Sequence, residues 1–218
     1  MGQALAASIE ARSDLKLVGL WKRGQDLAPL VAAADIVIDF SLPSGTTEVL
    51  RAATAGGKAL VCGVSGLGET AMAALEDAAR SIPLVYDRNM SLGIAVLERS
   101  VRQATASLGP DFDITISEVH HVHKKDAPSG TALKLGEAIA ESRGESGVDS
   151  IKFDVERRAE VPGDHEVTMS TASESLRFSH SVTSRQVFVD GALHAAVWLV
   201  GQAPGRYSMQ DVLFAERK

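Results

Sequence analysis

The chain has 218 residues, of which 45% are apolar and 23% charged, enough for a sizeable core in one large or two small domains. Its net charge of −6 argues against a general polyanion binder, and its 5% aromatic content argues against base-stacking platforms. A single cysteine, Cys62, excludes an intramolecular disulfide and a cysteine-based zinc site, and its place in the apolar run "ALVCGV" suits a small buried hydrophobe.

The first half alternates helix and strand patterns. "GQALAASIEARSD" reads as a short helix, and "LKLVGLW" predicts a strand over residues 16–21. "DIVIDF" (35–40), "KALVCGV" (58–64) and "IPLVYD" (82–87) predict three more apolar strands. Between them, "SGTTEVLRAATAGG" and "ETAMAALEDAARS" read as helices, the first opening on Ser and Thr and closing on a Gly pair. Nearly unbroken apolar strands between helices indicate a parallel sheet covered on both faces.

The second half changes character. "SLGIAVLERSVRQATASLG" predicts a long helix and "FDITISEVHH" an alternating strand. A helix follows from about Gly130 to Ser142, then a Gly/Ser-rich connection, "GESGVDS". "IKFDVERR", "EVTMSTA", "ESLRFSHSV" and "RQVFVDG" alternate as strands with one buried face, and "GALHAAVWLVGQ" closes as a helix. The fold class expected is α/β. A Rossmann-like nucleotide-type domain (1–91 and 186–218) is expected, joined to an α+β domain (92–185). No run of about 18 apolar residues exists, so no membrane span is expected. Glu10, Arg12, Asp14 and Lys16 break any signal-peptide core, and a cytoplasmic location is expected.

A nucleotide-binding domain of this class begins with a strand running into a Gly-rich loop. Here Met1-Gly2 already opens the first helix, so only Gly2 stands as a possible last glycine of that loop. The expectation is that the protein starts upstream, with Met1 internal to the loop. The alternative is a truncated, non-catalytic homologue that keeps its substrate domain but binds nucleotide poorly.

"EVHHVHKKDAPSGTAL" (118–133) holds three of the six histidines. His120 and His121 are strand neighbours whose side chains point to opposite faces, and His123 returns to the side of His121. Lys124 and Lys125 disfavour a divalent metal, so no metal is expected, and the acidic chain disfavours nucleic acid. A catalytic cluster fits better. Histidine delivers or takes a proton near neutrality, and Lys124 supplies fixed positive charge. Ser129 can cap the next helix, Gly130 lets a ligand approach the backbone, and the N–H groups there form an anion site. Together they describe a pocket for a small carboxylate.

This stretch resembles the signature of bacterial dihydrodipicolinate reductase (4-hydroxy-tetrahydrodipicolinate reductase), of lysine and diaminopimelate biosynthesis. "DFSLPSGT" (39–46), "CGVSGL" (62–67), "RNMSLGIAVL" (88–97), "TSRQVFVDGALHAAVWL" (183–199) and "SMQDVL" (208–213) extend the likeness over nearly the whole chain. The resemblance implies hydride transfer from a nicotinamide to a cyclic unsaturated imine dicarboxylate, with a proton added at the neighbouring carbon. His120 would be the proton donor and Lys124 its partner acid. His121, Gly130 and Thr131 would hold substrate carboxylates, with Ser129 shaping the turn. On the cofactor side it implies Phe40 and Ser41, then Gly63, Val64 and Ser65, then Asp87, Arg88, Asn89 and Met90, with Arg185 near the domain crossover. It also implies that residues 92–185 form a substrate-binding and oligomerisation domain with an open mixed sheet, and that a homotetramer forms through that sheet.

Lys22 and Arg23 stand about 20 residues after Gly2, where an acidic residue would bind the ribose hydroxyl of NAD. Two cations there suit the 2′-phosphate, so NADPH is expected over NADH. Two further departures from the family stand out. "QDLAPLVAAAD", between Gly24 and Asp35, has room for one short helix only, and Ala159 stands where a glycine is expected.

Overall fold

The computed structural model describes residues 1–215. In chain order the first elements are α1 (Gly2–Glu10), α2 (Ala28–Ala33), β1 (Ile36–Asp39), α3 (Pro43–Ala55), β2 (Ala59–Cys62), α4 (Glu69–Ala79) and β3 (Pro83–Tyr86). There follow α5 (Leu92–Leu108), β4 (Asp113–His120), α6 (Gly130–Arg143), β5 (Ile151–Arg157), β6 (Asp164–Ser170) and β7 (Ser175–Ser181). The last are α7 (Gln186–Leu199), β8 (Gly205–Tyr207) and α8 (Met209–Phe214). The chain divides into two compact units, Met1–Leu92 with Gln186–Lys218, and Gly93–Arg185. Of the expected range 186–218, the last three residues lie outside those described. No helix among the described residues is long and apolar enough to cross a membrane.

The first unit is built on a four-stranded parallel sheet in the order β1-β2-β3-β8. Alternation along β2 and β3 splits their side chains between two faces. Leu60, Cys62 and Leu84 join Val49, Leu50 and Ala53 of α3 and Leu75 and Ala78 of α4 in one core. Val61 and Val85, both fully buried, face the other way, and α7 packs on the sheet across β1, β2 and β3. Burying a side chain of this size contributes about 1.5–3 kcal/mol. α3 begins with Pro43 in its first turn and buries Thr46, Val49, Leu50 and Ala53 at helical spacing. Gly191 of α7 is required by close approach, since a Cβ there would lie 1.7 Å from the Met90 carbonyl oxygen.

Two expectations fail in this unit. Residues 16–21 form no strand. Their composition suits one, but a strand exists only by pairing, and no described strand borders β1 on its free side. Val18 and Leu20 are accordingly exposed, while Trp21 packs on the core and donates from Nε1 to the Gln25 carbonyl at 2.9 Å. "RQVFVDG" is not a strand either, because Gln186–Leu199 is one helix. The V-F-V alternation is short, and burial at Val189, Leu193, Ala196 and Leu199 follows the helical period. The short helix expected between Gly24 and Asp35 is α2. β8 and α8, with its Ser208–Asp211 capping box, were not anticipated.

The second unit is a mixed sheet in the order β5-β4-β6-β7, with β4 parallel to β5 and antiparallel to β6. Ile114, Ile116, Ile151, Val167 and Met169 share its core with Ile94, Leu97 and Val101 of α5 and Leu135 and Ile139 of α6. The opposite face carries Thr115, Ser117, Glu166, Thr168 and Ser179. α6 is capped at both ends. Ser129 Oγ accepts from the Ala132 N–H at 3.1 Å, worth about 1 kcal/mol, and Gly144 closes the helix with a left-handed φ of 72°.

Candidate active site

The buried face of β4 runs Ile114, Ile116, Glu118, His120, so two polar residues end an otherwise apolar row. Pairing then brings two neighbours to them, because Glu118 lies opposite His165 of β6 and His120 opposite Arg157 of β5. The Glu118 carboxylate is 1% exposed and contacts four groups. It lies 3.6 Å from His120 Nδ1, 3.8 Å from His165 Nε2 and 3.3 Å from an Arg157 nitrogen. It also accepts the Ser129 backbone N–H at 3.1 and 3.2 Å, which links β4 to the start of α6.

His120 is buried, with its ring edge-on to that of His165 at 5.0 Å. Burial lowers its proton affinity, the Glu118 charge works against that, and Lys124 and Arg157 add to the lowering. Burial pushes His165 down to about 3, helped by the charges of His120 and His180, so it is neutral near pH 7. Gly163 passes over the His120 ring with φ 152°, and a Cβ there would lie 3.0 Å from Nε2. Only a glycine leaves that nitrogen clear.

Lys124 sits in the loop after β4, 21% exposed, with Nζ 2.8 Å from Asp126 Oδ1. Arg157 holds this loop by its backbone. It donates from Nε to the Lys124 carbonyl at 3.3 Å and from a terminal nitrogen to the Asp126 carbonyl. Asp126 also takes a backbone hydrogen bond from Gly130, at the anion position of α6. Partial burial works to raise its carboxyl, but Lys124 outweighs it and holds the group below the usual carboxylate range. The structure therefore gathers His120, Lys124, Ser129 and Gly130 around Glu118 and Asp126, with Thr131 buried in the first turn of α6. The His121 carbonyl accepts the Lys124 N–H at 3.1 Å in the same turn, and the His121 ring is 6.1 Å from that of His123, which is exposed beside Glu160.

Glu118, Arg157, His165, Gly163 and Asp126 were not singled out from the sequence. Alternation could have flagged Glu118, two residues before His120 on an apolar row. Arg157, His165 and Gly163 depend on non-local register. Glu118, His120 and His165 offer three ligand atoms within 4.8 Å of one another, but Arg157 and Lys124 put fixed positive charge where a divalent ion would sit.

In the first unit, three loops leave the C-terminal ends of β1, β2 and β3, the edge where such sheets bind ligands. After β1, the Ser41 N–H is held by Asp39 Oδ1 at 2.8 Å. After β2, Gly63 donates to the Asp39 carbonyl at 2.9 Å, followed by buried Val64 and exposed Ser65. Gly63 lies under both Phe40 and Met90, since a Cβ would meet Phe40 Cζ at 2.5 Å and Met90 Cγ at 3.0 Å. After β3, Asp87 accepts the Asn89 and Met209 N–H groups at 3.2 Å each, and Arg88 stands between Asp87 and Asn89 in the chain. Asp39 Oδ2 is buried with no protein partner, an acceptor available to a ligand hydroxyl or amide. Arg23 reaches Ser44 Oγ at 3.2 Å at the start of α3, with Lys22 beside it in the turn. A nucleotide with phosphates and ribose hydroxyls fits this donor and acceptor set. Gly2 opens α1, and Arg185 is exposed in the turn before α7.

Comparison with known proteins covers both units of the chain. Residues 1–90 match the family profile described as dihydrodipicolinate reductase, N-terminus, and residues 93–213 the one described as dihydrodipicolinate reductase, C-terminus. The chain is 42% identical over 206 residues to the 4-hydroxy-tetrahydrodipicolinate reductase of Alkalilimnicola ehrlichii, covering 87% of this chain and 77% of that one. It is 41% identical over 238 residues to that of Caulobacter vibrioides, covering 98% and 93%. Among solved structures, dipicolinate-bound dihydrodipicolinate reductase from Paenisporosarcina sp. TG-14 has the same fold, with a TM-score of 0.77 at 19% identity over 97% of this chain and 95% of that one. Amine dehydrogenase from Mycobacterium smegmatis follows it less closely, with a TM-score of 0.60 at 11% identity over 85% and 78%. With both halves matched in order and two-fifths of its residues identical to such reductases, the chain belongs to the dihydrodipicolinate reductase family.

Proposed function

We propose that the protein reduces a dihydrodipicolinate-type cyclic imine dicarboxylate to the tetrahydro product, in lysine and diaminopimelate biosynthesis. The observation that carries this reading is buried His120 grouped with Lys124 and the capped start of α6, in a chain about two-fifths identical to such reductases. A nicotinamide cofactor would be held by Phe40, Ser41, Gly63, Val64, Ser65, Asp87, Arg88, Asn89 and Met90, with Gly2 and Arg185, and would supply the hydride when bound. His120 gives its proton to the carbon next to the one that receives the hydride. Lys124 lends positive charge as electron density builds there, and acts as the partner acid. One substrate carboxylate takes over from Asp126 at Lys124 and the Gly130–Thr131 backbone, and His121 meets the same ligand from the loop.

NADPH is preferred over NADH in this reading, supported by Lys22 and Arg23 beside the α3 start. A homotetramer joined through the polar face of the mixed sheet and a cytoplasmic setting belong to it as well; four chains by light scattering are expected, and one chain would refute the assembly. The enzymatic test is NADPH oxidation coupled to the cyclic imine. Replacing His120 by Gln should lower kcat about 10²–10⁴-fold, the usual range for one positioned acid. Undiminished turnover in His120→Gln would remove His120 from the proton step, and equal kcat/KM for both cofactors would remove the NADPH preference.

A further inference from the structure

The proton transfer just described leaves Glu118 without a task, yet its buried carboxylate is held by four groups. An ionised carboxylate buried on a row that begins Ile114, Ile116 is costly, and an apolar residue would pack there at least as well. Four contacts account for its charge, and each leads to a different part of the candidate site. Arg157 carries the connection to the Lys124–Asp126 loop, and the Ser129 N–H carries it to the first turn of α6. The Glu118 carboxylate lies 3.6 Å from His120 Nδ1, just beyond hydrogen-bond length, and that buried nitrogen has no hydrogen-bond partner in the protein, so a small closure of this gap pairs the two, while Nε2 lies under Gly163.

We propose that Glu118 is a positioning residue, which orients His120 through Nδ1 and sets Lys124 and the α6 start in register with it. The inference rests on the proton-donor reading of His120. A ring that must give up a proton from Nε2 needs its other nitrogen held, and a carboxylate on Nδ1 fixes both tautomer and orientation. The groups facing His120 are Glu118 on β4, Lys124 and Asp126 in the following loop, Arg157 at the end of β5 and His165 on β6. Glu118 and Asp126 favour the imidazolium, with Glu118 foremost, and Lys124 and Arg157 oppose it.

Glu118→Gln keeps the shape of the side chain and an acceptor for the Ser129 N–H but removes the charge. The His120 ring is followed by long-range proton–nitrogen NMR across pH in wild type and variant, beside the pH dependence of kcat. The His120 titration should move to lower pH, and its neutral form should lose the preference for Nδ1–H. The alkaline limb of the kcat profile should move the same way. At neutral pH kcat should fall roughly 10–100-fold while KM stays within about threefold, and Glu118→Asp should restore part of the loss. If the unpaired guanidinium unfolds the variant, Glu118→Gln combined with Arg157→Gln carries the same readouts, with a smaller shift in the same direction because Arg157 itself opposes the imidazolium. An unchanged His120 titration and tautomer overturns the inference. A wild type without reductase activity overturns the proposed function instead, and the NMR measurement then decides the role of Glu118 alone.

Discussion

Protonation of His165 should be a main source of acid sensitivity in the second unit. Its ring is 3% exposed, and burial with the neighbouring His120 and His180 charges holds it down to about 3. In the unfolded chain it titrates near 6.5. Above that pH neither state binds the proton and the ring contributes nothing to pH dependence. Below it the unfolded chain takes the proton and the folded one does not, so stability falls until the pH approaches the folded value. The slope is about 1.4 kcal/mol per pH unit, which gives a loss of about 2 kcal/mol between pH 7.5 and 5. His165→Gln removes the titration and keeps an amide within reach of Ser129 Oγ, now 3.4 Å from Nε2. Urea unfolding followed by far-UV circular dichroism at the two pH values gives the comparison. Wild type should lose about 2 kcal/mol more than the variant, because losses from other groups are common to both. Parallel losses in the two proteins would refute the assignment of His165 as a buried neutral ring.

Two positions of left-handed backbone border the candidate site and should respond in opposite ways. Ala159 has φ 44°, a conformation costing a side chain about 1–2 kcal/mol, and its carbonyl accepts the Val122 N–H at 3.2 Å. Ala159→Gly should therefore raise Tm by roughly 1–3 °C after the entropy of the added glycine is subtracted, and a lower Tm by scanning fluorimetry would contradict this. Gly163→Ala should cost about 1–3 kcal/mol in stability and crowd His120 Nε2, lowering kcat about tenfold with KM little changed. Wild-type kcat in that variant would show that Nε2 has more room than 3.0 Å allows.

The parts of this fold legible in the sequence are those written in local pattern. The β1, β2 and β3 strands stand out as apolar runs, and α3 and α6 announce themselves by their caps and period. Residues 16–21 show the limit of that approach, since strand-forming residues without a neighbour make no strand. At Gln186–Asp190 a brief alternation hid the start of a longer helical period. His120, Lys124, Ser129 and Gly130 come from one contiguous stretch and could be named together. The charges that organise them could not, because Arg157 and His165 arrive from strands 37 and 45 residues further along. Asp126, inside the stretch, was overlooked because an exposed carboxylate gives no sign in the sequence of its contacts with Lys124 and the Gly130 N–H.

The chain order of the first unit has a consequence for synthesis. Its sheet is covered on one face by α3 and α4, which emerge with the strands they pack against. The other face waits for α7, and the β3 edge waits for β8, both encoded after the entire second unit. At ribosomal rates that interval lasts roughly 5–20 s, during which Val61, Val85 and one sheet edge have no native cover. The N-terminal segment is then a natural client for a chaperone at the ribosome, and the second unit, whose elements are contiguous in the chain, is positioned to fold first.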